Sequence, residues 1–596
     1  MGCPAPSGFL LYQQLTANCS LSAMSYFVLA LSCAAYLAGV WGQTGLQWSP
    51  CGGGSDASLD CAILEVPLEY ADPKSIATAK IPLARYKATV PSSQRKGSLL
   101  TNPGGPGGSG RSFVLNGVGE AISTITGGFY DIIGWDPRGV ASAQPVLQCY
   151  RTAEEENAAN NALPVAAEVS FSQFRNASYL PEIGTAVEQF DSAVAKLAKA
   201  CADYKSPALF TSSAAYVARD MVAIVNALDG TNSTLNYWGF SYGTIFGAEF
   251  IQTYPNRVGR MIFDGVVDAS ANAQGANKLL SLDQLSVRDA IHDFVAFCEK
   301  AGPKGCALAT PPPKVTADLT TRLNNLQASL YSSPAVVSNS LSSTIGIFTS
   351  FMWSFSRVPT TWTLVAEAVS ALENGNASLI ASIIAATSPS TPKNSSSPAE
   401  GLLAVWPLQC IDNAPSSHIT LTDVRSLLLN ISLREDTPWL NADLTSISFC
   451  RNFPDTRPRV QNMGASKLPD TNTVLAKQKT PVLVINSEHD PVTPLFAAQR
   501  LHQALSHSSQ LVTRRGPGHT TVSLASLGLL EAIRTYFING TLPGNNVYDL
   551  SQEVFSPDIE AGTPTPAPIF NGTYTADELS LLQATYNILL AFISLA

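Results

Sequence analysis

The pentapeptide Gly239-Phe240-Ser241-Tyr242-Gly243 constrains this chain more than any other stretch. It fits the pattern G-x-S-x-G, in which a strand turns sharply into a helix at the serine and leaves the hydroxyl exposed. Glycine is used on both sides because larger side chains would collide with the neighbouring strand and helix. Leu235–Trp238 predicts a short strand and Thr244–Tyr254 a helix, which is the setting that the turn requires. A chance match in a chain with 41 glycines is the alternative from this window alone.

Short apolar strands alternate with helical segments on both sides of this turn, and that rhythm predicts an α/β fold with a mostly parallel central sheet. The predicted strands are 98–102, 129–135, 260–265, 481–487 and 510–514. From 269 to 477 the rhythm gives way to helix-rich sequence broken by Ser/Thr/Pro/Asn tracts. We therefore expect a large helical cap that is inserted between core strands.

These shifts in pattern divide the chain into a leader, two parts of one core, the cap between them and a final extension. The expected segments are 1–42, 43–268, 269–477, 478–545 and 546–596, of which the third is the cap. The chain ends in an apolar stretch, Leu579–Ala596. A packed terminal helix is the favoured interpretation, and a signal for a lipid anchor is the alternative.

An apolar run, Met24–Gly42, predicts a signal peptide and hence a secreted protein. The basic residues that normally precede such a run are missing, since no Lys or Arg occurs before Lys74. Met24 as the true start and an uncleaved signal anchor are the alternatives.

Cysteines and glycosylation motifs agree with an oxidising compartment. Eight of the eleven cysteines follow the leader, and neighbour pairing is the simplest of about 105 arrangements. It joins Cys51 to Cys61, Cys149 to Cys201, Cys298 to Cys306 and Cys410 to Cys450. Seven sequons suggest a glycosylated exterior, at Asn176, Asn232, Asn376, Asn394, Asn430, Asn539 and Asn571.

The charge pattern narrows the partners. The chain is charge-poor, with 14% charged residues and a net charge of −9, which argues against nucleic acid or an anionic membrane as partner. No C-x-x-C pair occurs, so a zinc or redox site is not indicated. We expect an enzyme that needs neither metal nor cofactor, with no stable membrane partner once the leader is removed.

Ser241 needs a base to take its proton and a carboxylate to orient that base. Asp490 and His519 follow it in the order Ser–Asp–His, each just after a predicted strand. His519 ends a glycine-rich turn, and Asp490 precedes Pro-Val-Thr-Pro, which makes it a better candidate than Glu488. The sequence therefore predicts a catalytic triad.

A glycine-rich loop, Pro103–Gly110, follows an early predicted strand. Its backbone N–H groups can converge on an anion, and Tyr242 after the serine can supply a second N–H. A flexible linker is the alternative, while a phosphate loop would require a Gly-Lys-Ser/Thr sequence that is absent. In the next strand-end motif, Asp136 and Arg138 are expected to brace the loop by an ion pair.

Four motifs together resemble one family: Asn102–Gly110, Trp135–Gly139, the pentapeptide with Thr244, and Asp264-Gly265-Val266. They look like those of secreted tripeptidyl aminopeptidase and prolyl aminopeptidase-like α/β-hydrolases. The stretch from Thr480 to His519 resembles the C-terminal domain of the tripeptidyl aminopeptidase branch. The resemblance implies an α/β-hydrolase fold and release of short peptides or amino acids from free N-termini.

The resemblance also implies site residues. Gly104 or Gly105, with Tyr242, would form the oxyanion hole. An acid of the cap would bind the substrate amine, and Asp412 is the candidate, against a plain surface acid. Thr520 and Thr521 follow His519, where relatives often have a cysteine, which leaves substrate preference open. A hydrolase of carboxylic esters or other small molecules is the alternative function, and a binding protein on an inactive scaffold is the third.

Overall fold

The computed structural model describes sixteen segments of the chain. They are 46–53, 56–72, 74–163, 180–276, 278–279, 286–333, 335–338, 341–343, 345–387, 405–413, 415–432, 444–453, 474–475, 480–555, 568–570 and 572–595. Trp48–Ala596 forms one compact unit, and the other unit, Met1–Gln47, contains the predicted leader, which lies outside the described residues. No helix among the described residues is long and apolar enough to cross a membrane.

A nine-stranded sheet forms the centre of the molecule, with the order β1-β2-β4-β3-β5-β6-β9-β10-β11. Its strands are β1 (Leu59–Pro67), β2 (Thr78–Tyr86), β3 (Ser98–Asn102), β4 (Asp131–Trp135), β5 (Leu235–Phe240), β6 (Val258–Asp264), β9 (Val482–His489), β10 (Ser509–Pro517) and β11 (Val547–Tyr548). A separate two-stranded sheet consists of β7 (Ala335–Ser338) and β8 (Leu341–Ser343).

The sheet is antiparallel only at one edge, where β2 pairs with β1 and β4. From β4 to β11 every pair is parallel. Parallel strands are covered on both faces, which explains why β3 and β4 are buried along their whole length. The carboxyl ends of β5, β6, β9 and β10 therefore meet at one edge, where the predicted site residues are. The predicted α/β class with a mostly parallel sheet is confirmed.

Eighteen α-helices are described. They are α1 (Gly110–Phe113), α2 (Gly119–Ile125), α3 (Ala153–Asn161), α4 (Leu180–Tyr204), α5 (Ala214–Asp229), α6 (Gly243–Thr253), α7 (Ala269–Gln274), α8 (Val287–Gly305), α9 (Leu319–Ser332), α10 (Ile345–Ser356), α11 (Trp362–Glu373), α12 (Ser378–Thr387), α13 (Val405–Asp412), α14 (Leu421–Ser432), α15 (Leu444–Asn452), α16 (Leu495–Leu505), α17 (Leu527–Asn539) and α18 (Ala576–Leu595).

The cap region packs into two apolar clusters. One joins α4 to α13, α14 and α15, so part of the chain before the elbow packs with the cap. The other joins helices α8 to α12 and includes Leu524 and Phe555 of the later chain. The domain boundaries stay predictions, but α4 shows that the cap packing includes residues earlier than 269.

The four disulfides of the structure join the neighbour pairs that the sequence analysis considered: Cys51 with Cys61, Cys149 with Cys201, Cys298 with Cys306 and Cys410 with Cys450. Four of the predicted sequon asparagines are exposed, namely Asn232, Asn376, Asn430 and Asn539. The other three, Asn176, Asn394 and Asn571, lie outside the described residues.

The terminal apolar stretch forms α18, and its buried face joins the core. Leu582 and Ile588 are fully buried, and the Phe592 ring lies 5.4 Å from that of Phe240 at the end of β5. The same ring is 4.9 Å from Phe113 of α1. The final helix therefore packs behind the strand that leads to Ser241.

Candidate active site

Ser241 occupies the turn between β5 and α6, with φ +52° in the left-handed region that non-glycine residues seldom adopt. Its N–H donates to the carbonyl of Asp264, 2.9 Å away. A Cβ at Gly243 would lie 2.8 Å from the carbonyl oxygen of Asn102 on β3. At Gly239 it would lie 2.5 Å from the ring of Tyr237. The structure therefore contains the predicted strand–turn–helix, and both glycines are required by close packing.

His519 and Asp490 lie together on the loops that follow β10 and β9. The Nδ1 atom of His519 is 3.0 Å from each carboxylate oxygen of Asp490. The N–H groups of Val492, Thr493 and Thr520 and the hydroxyl of Thr493 donate to that carboxylate at 2.7–2.9 Å. Asp490 is fully buried. The loops therefore hold this acid in one orientation toward the imidazole.

The surroundings keep Asp490 ionised. Burial alone would raise its pKa, but the charge and hydrogen bond of His519, with the N–H donors of Thr493 and Thr520, outweigh burial and lower the pKa. The alternative acid, Glu488, accepts the N–H of Gly516, 3.1 Å away, so it braces the end of β10.

Asp264, at the end of β6, is a buried residue that sequence reasoning did not assign to the site. Its carboxylate accepts the N–H and hydroxyl of Thr521 at 2.6 and 2.7 Å, two residues after His519. Burial raises its pKa to about 7, Thr521 acts against this rise, and the charge of Asp490 adds to it. Asp264 thus joins the Ser241 turn to the histidine loop. The sequence signal that could have identified Asp264 is its position at the carboxyl end of a predicted strand, the edge where the other site residues lie.

Arg514 is a second buried group beneath these loops. Its guanidinium donates to the hydroxyls of Ser487 and Ser523 and to the carbonyl of Pro517 at 2.6–2.9 Å. Burial lowers its pKa to about 10, opposed by the charges of Asp264 and Asp490. Arg514 therefore ties β9 to the turn that carries His519.

The glycine loop packs directly against the Ser241 turn. A Cβ on Gly104, which has φ +92°, would lie 2.6 Å from the N atom of Tyr242. The N–H of Gly104 donates to the Asn102 side chain at 2.9 Å. Within the described part of the chain, the N–H groups of Gly105 and Tyr242 have no protein acceptor. Among the predicted oxyanion donors, these two are available to an anion.

The expected ion pair between Asp136 and Arg138 is wrong. Arg138 pairs with Asp220 at 2.6 Å, and both side chains are almost wholly buried. Asp136 accepts the hydroxyl of Ser109, which caps α1 at the end of the glycine loop. Asp136 also accepts the N–H of Ser142 and interacts with Arg111. It therefore braces the loop without Arg138, which pairs with Asp220 of α5.

Asp412 ends α13 of the cap and lies against the residue that follows the serine. The hydroxyl of Tyr242 and the N–H of Ala214 each donate to one of its carboxylate oxygens at 2.7 Å. Asp412 is buried, so it is not a plain surface acid. Burial and the nearby Asp412 carboxylate raise the Tyr242 pKa well above its usual value.

Two protein-family models match the chain. One, described as "alpha/beta hydrolase fold", matches residues 97–285, and the other, described as "TAP-like protein", matches residues 451–549. The first contains the glycine loop and Ser241, and the second contains Asp490 and His519. Most of the predicted cap lies between the two matches.

Curated relatives align with most of the chain. "Serine protease Hip1" of Mycobacterium tuberculosis (strain ATCC 25618 / H37Rv) is 27% identical, covering 84% of this chain and 89% of the relative. "Tripeptidyl aminopeptidase" of Streptomyces lividans is 27% identical, covering 85% and 86%. "Carboxylesterase B" of Mycobacterium tuberculosis (strain CDC 1551 / Oshkosh) is 26% identical, covering 81% and 85%.

Proposed function

We propose that this enzyme, an α/β-hydrolase with a TAP-like C-terminal section, is a secreted serine exopeptidase that releases short peptides or amino acids from free N-termini. The carrying observation is the contact of His519 with Asp490, 3.0 Å apart, on loops beside the strained turn at Ser241. Relatives named as a serine protease and a tripeptidyl aminopeptidase, which cover most of the chain, support the peptidase assignment.

In the proposed reaction, the Oγ atom of Ser241 bonds to the scissile carbonyl carbon while His519 takes its proton. The tetrahedral intermediate then loses its C–N bond, and His519 returns the proton to the leaving amine. Water attacks the resulting acyl-enzyme and gives a proton to His519. The bond between the acyl carbon and Oγ then breaks, and His519 returns the proton to Oγ, which releases the carboxylic acid and regenerates Ser241. Asp490 holds the imidazole and stabilises its charged form.

The N–H groups of Gly105 and Tyr242 would bind the oxyanion of each tetrahedral intermediate. Their lack of a protein acceptor supports this role. Gly104 fits the role less well than predicted because its N–H already donates to Asn102. Gly104 would instead allow the close approach of the loop to the turn.

Asp412 remains the candidate for binding the substrate amine. Its contact with Tyr242 supports a position beside the oxyanion hole, and it also gives Asp412 a second role in bracing that tyrosine. With Asp412→Asn, we expect the ratio of turnover on free and N-blocked tripeptidyl anilides to fall if the carboxylate binds the amine. An equal loss on both substrates would leave only the bracing role.

Secretion and glycosylation are part of the proposal. Four disulfides and four exposed sequon asparagines support an oxidising, extracellular compartment. The protein expressed with its leader should be found in the medium and lose mass on treatment with a glycosidase that removes N-linked sugars. Retention inside the cell would contradict this part.

An ester hydrolase using the same triad is the second candidate, favoured by the similarity to a relative named carboxylesterase. Purified protein should be assayed on free and N-blocked tripeptidyl anilides and on p-nitrophenyl esters. We expect cleavage of the free anilides. Turnover restricted to esters would contradict the peptidase, and equal cleavage of N-blocked substrates would contradict the exopeptidase.

Ser241→Ala should abolish turnover of every substrate while leaving the melting temperature close to that of the wild type, because it removes the nucleophile and little packing. Ser508→Ala changes another buried serine, one that precedes β10 at the opposite edge of the sheet, and serves as the matched control. This control variant should keep wild-type turnover. Undiminished turnover by Ser241→Ala would overturn the nucleophile assignment.

A further inference from the structure

Arg357 lies in the cap, between α10 and the turn Pro359–Thr361, directly against the loop that carries His519. Its carbonyl oxygen accepts the N–H of His519 at 2.9 Å. The neighbouring Pro359 is so close that a Cβ on Gly518 would lie 2.8 Å from its ring. The backbone of Arg357 is therefore fixed relative to the histidine.

The guanidinium of Arg357 is held by its own segment but has no acid partner. The Nε atom donates to the carbonyl of Ser354 at 3.2 Å. The guanidinium carbon, Cζ, lies 4.6 Å from the centre of the Trp353 ring. Among the described residues, no carboxylate lies within ion-pair distance, and no acceptor binds its two terminal nitrogens. Their N–H groups remain available to a ligand.

Two strongly buried arginines of the described chain have acid partners. Arg138 pairs with Asp220, and Arg322 pairs with Glu373. Arg514 instead donates to hydroxyls and carbonyls. A guanidinium that is partly removed from water regains less of its solvation from one carbonyl and an aromatic ring than from a carboxylate. Burial accordingly lowers the pKa of Arg357, and the charge of Asp490 opposes that change. The residue is only partly buried, so a small ligand can reach it.

We propose that Arg357 binds a carboxylate on the leaving peptide of the substrate, an inference that rests on the proposed peptidase function. His519 must deliver its proton to the leaving amine, so the leaving group lies beside the histidine loop. Arg357 contacts that loop, whereas Asp412 contacts Tyr242 on the oxyanion side. A planar guanidinium with free N–H groups matches a carboxylate through two parallel hydrogen bonds.

The carboxylate has two possible sources, the C-terminus of a short leaving group or an acidic side chain next to the scissile bond. One substrate pair has a free tripeptide joined to alanine or to alanine amide. The second has the same tripeptide joined to glutamate amide or to glutamine amide. A tripeptidyl anilide, whose leaving group has no carboxylate, is the reference.

For the wild type we expect kcat/KM to be at least about tenfold higher on the carboxylate-bearing member of one pair than on its amide. The pair that shows this preference identifies the source of the carboxylate. Arg357→Met should abolish that preference and leave anilide turnover within about twofold of the wild type. Arg357→Lys keeps the positive charge but cannot form two parallel hydrogen bonds with a carboxylate, so it should retain part of the preference for the charged substrate. Arg425→Met removes another cap arginine, one that pairs with Glu188, and should keep the full preference.

A purely structural role of Arg357 predicts a different result. A cation that follows the end of α10 also interacts favourably with the helix dipole. Its loss would then lower turnover on the anilide and on both pairs by the same factor. That outcome, or a wild type that does not distinguish either pair, would overturn the proposal.

An assay on two esters tests the carboxylate-binding site independently of the peptidase function. A wild type that cleaves no peptide defeats the proposed function, and 4-acetoxybenzoate and its methyl ester then replace the peptides. The charged ester should be preferred by at least about tenfold, and Arg357→Met should remove the preference. Equal turnover of the two esters by the wild type would overturn the binding site as well.

Discussion

At the scale of single residues, the candidate site depends on buried polar groups that are each held by several partners. Asp490 accepts four hydrogen bonds besides the contact with His519, and Asp264 accepts two from Thr521. Such groups are costly to bury unless they are satisfied. Loop N–H groups and the hydroxyls of Thr493 and Thr521 offset this cost, so the loops and the acids orient one another.

Asp264 should make stability depend on pH. Its pKa is about 7 in the folded protein and near 3.8 when exposed, so the folded state binds the proton more tightly. Stability from this group is therefore greatest at low pH and is lost as pH rises from about 4 to about 7, by up to about 4 kcal/mol.

Asp264→Asn keeps the shape and removes the titrating group. Urea unfolding at pH 4.5 and pH 7.5 should show the variant gaining stability relative to the wild type at the higher pH. Asp549→Asn, which changes a largely exposed acid, is the control and should not alter the difference. A parallel pH dependence of wild type and Asp264→Asn would contradict the assignment.

At the scale of elements, α18 is the clearest case of packing that supports the site from behind. One face of the helix is buried and the other faces solvent: Leu582 is fully buried, whereas Leu579 is 43% exposed. Its Phe592 reaches both Phe240, next to the nucleophile candidate, and α1, which follows the glycine loop. The final extension is thus part of the core.

Leu582→Ala should destabilise the protein by about 2–5 kcal/mol, because it leaves a cavity in the core. Leu579→Ala on the same helix should change stability by less than about 0.5 kcal/mol. Thermal or urea unfolding of the two variants measures the difference. Similar small effects of both substitutions would show that α18 is not docked on the sheet.

At the scale of the whole molecule, the disulfides close loops of the chain that differ widely in length. Cys149–Cys201 links the chain after β4 to α4, across 52 residues, while Cys298–Cys306 closes only 8. Crosslinks over longer loops restrict the unfolded chain more.

Replacing both members of a pair by alanine should therefore cost about 4 kcal/mol for Cys149–Cys201 and about 2–3 kcal/mol for Cys298–Cys306. Equilibrium unfolding under non-reducing conditions compares the two double variants. The reverse order would show that native packing, and not loop closure, dominates.

The sequence alone determined the fold class and the positions of the main core strands along the chain. It also identified the nucleophile candidate with its acid and base candidates. These features have local signals. Glycine is needed where backbone segments approach closely, apolar runs mark buried strands, and proline and glycine mark the loops at strand ends. The packed terminal helix was predicted from its apolar composition for a similar reason.

Only the tertiary structure decided which partners these groups have. Arg138 pairs with Asp220 and not with nearby Asp136, α4 packs with the cap, and Arg357 lies against the histidine loop. Asp264 is joined to Thr521 across 257 positions of the chain. Contacts between distant segments leave no periodic pattern in the sequence, because they depend on the order of strands in the sheet and on how the cap packs.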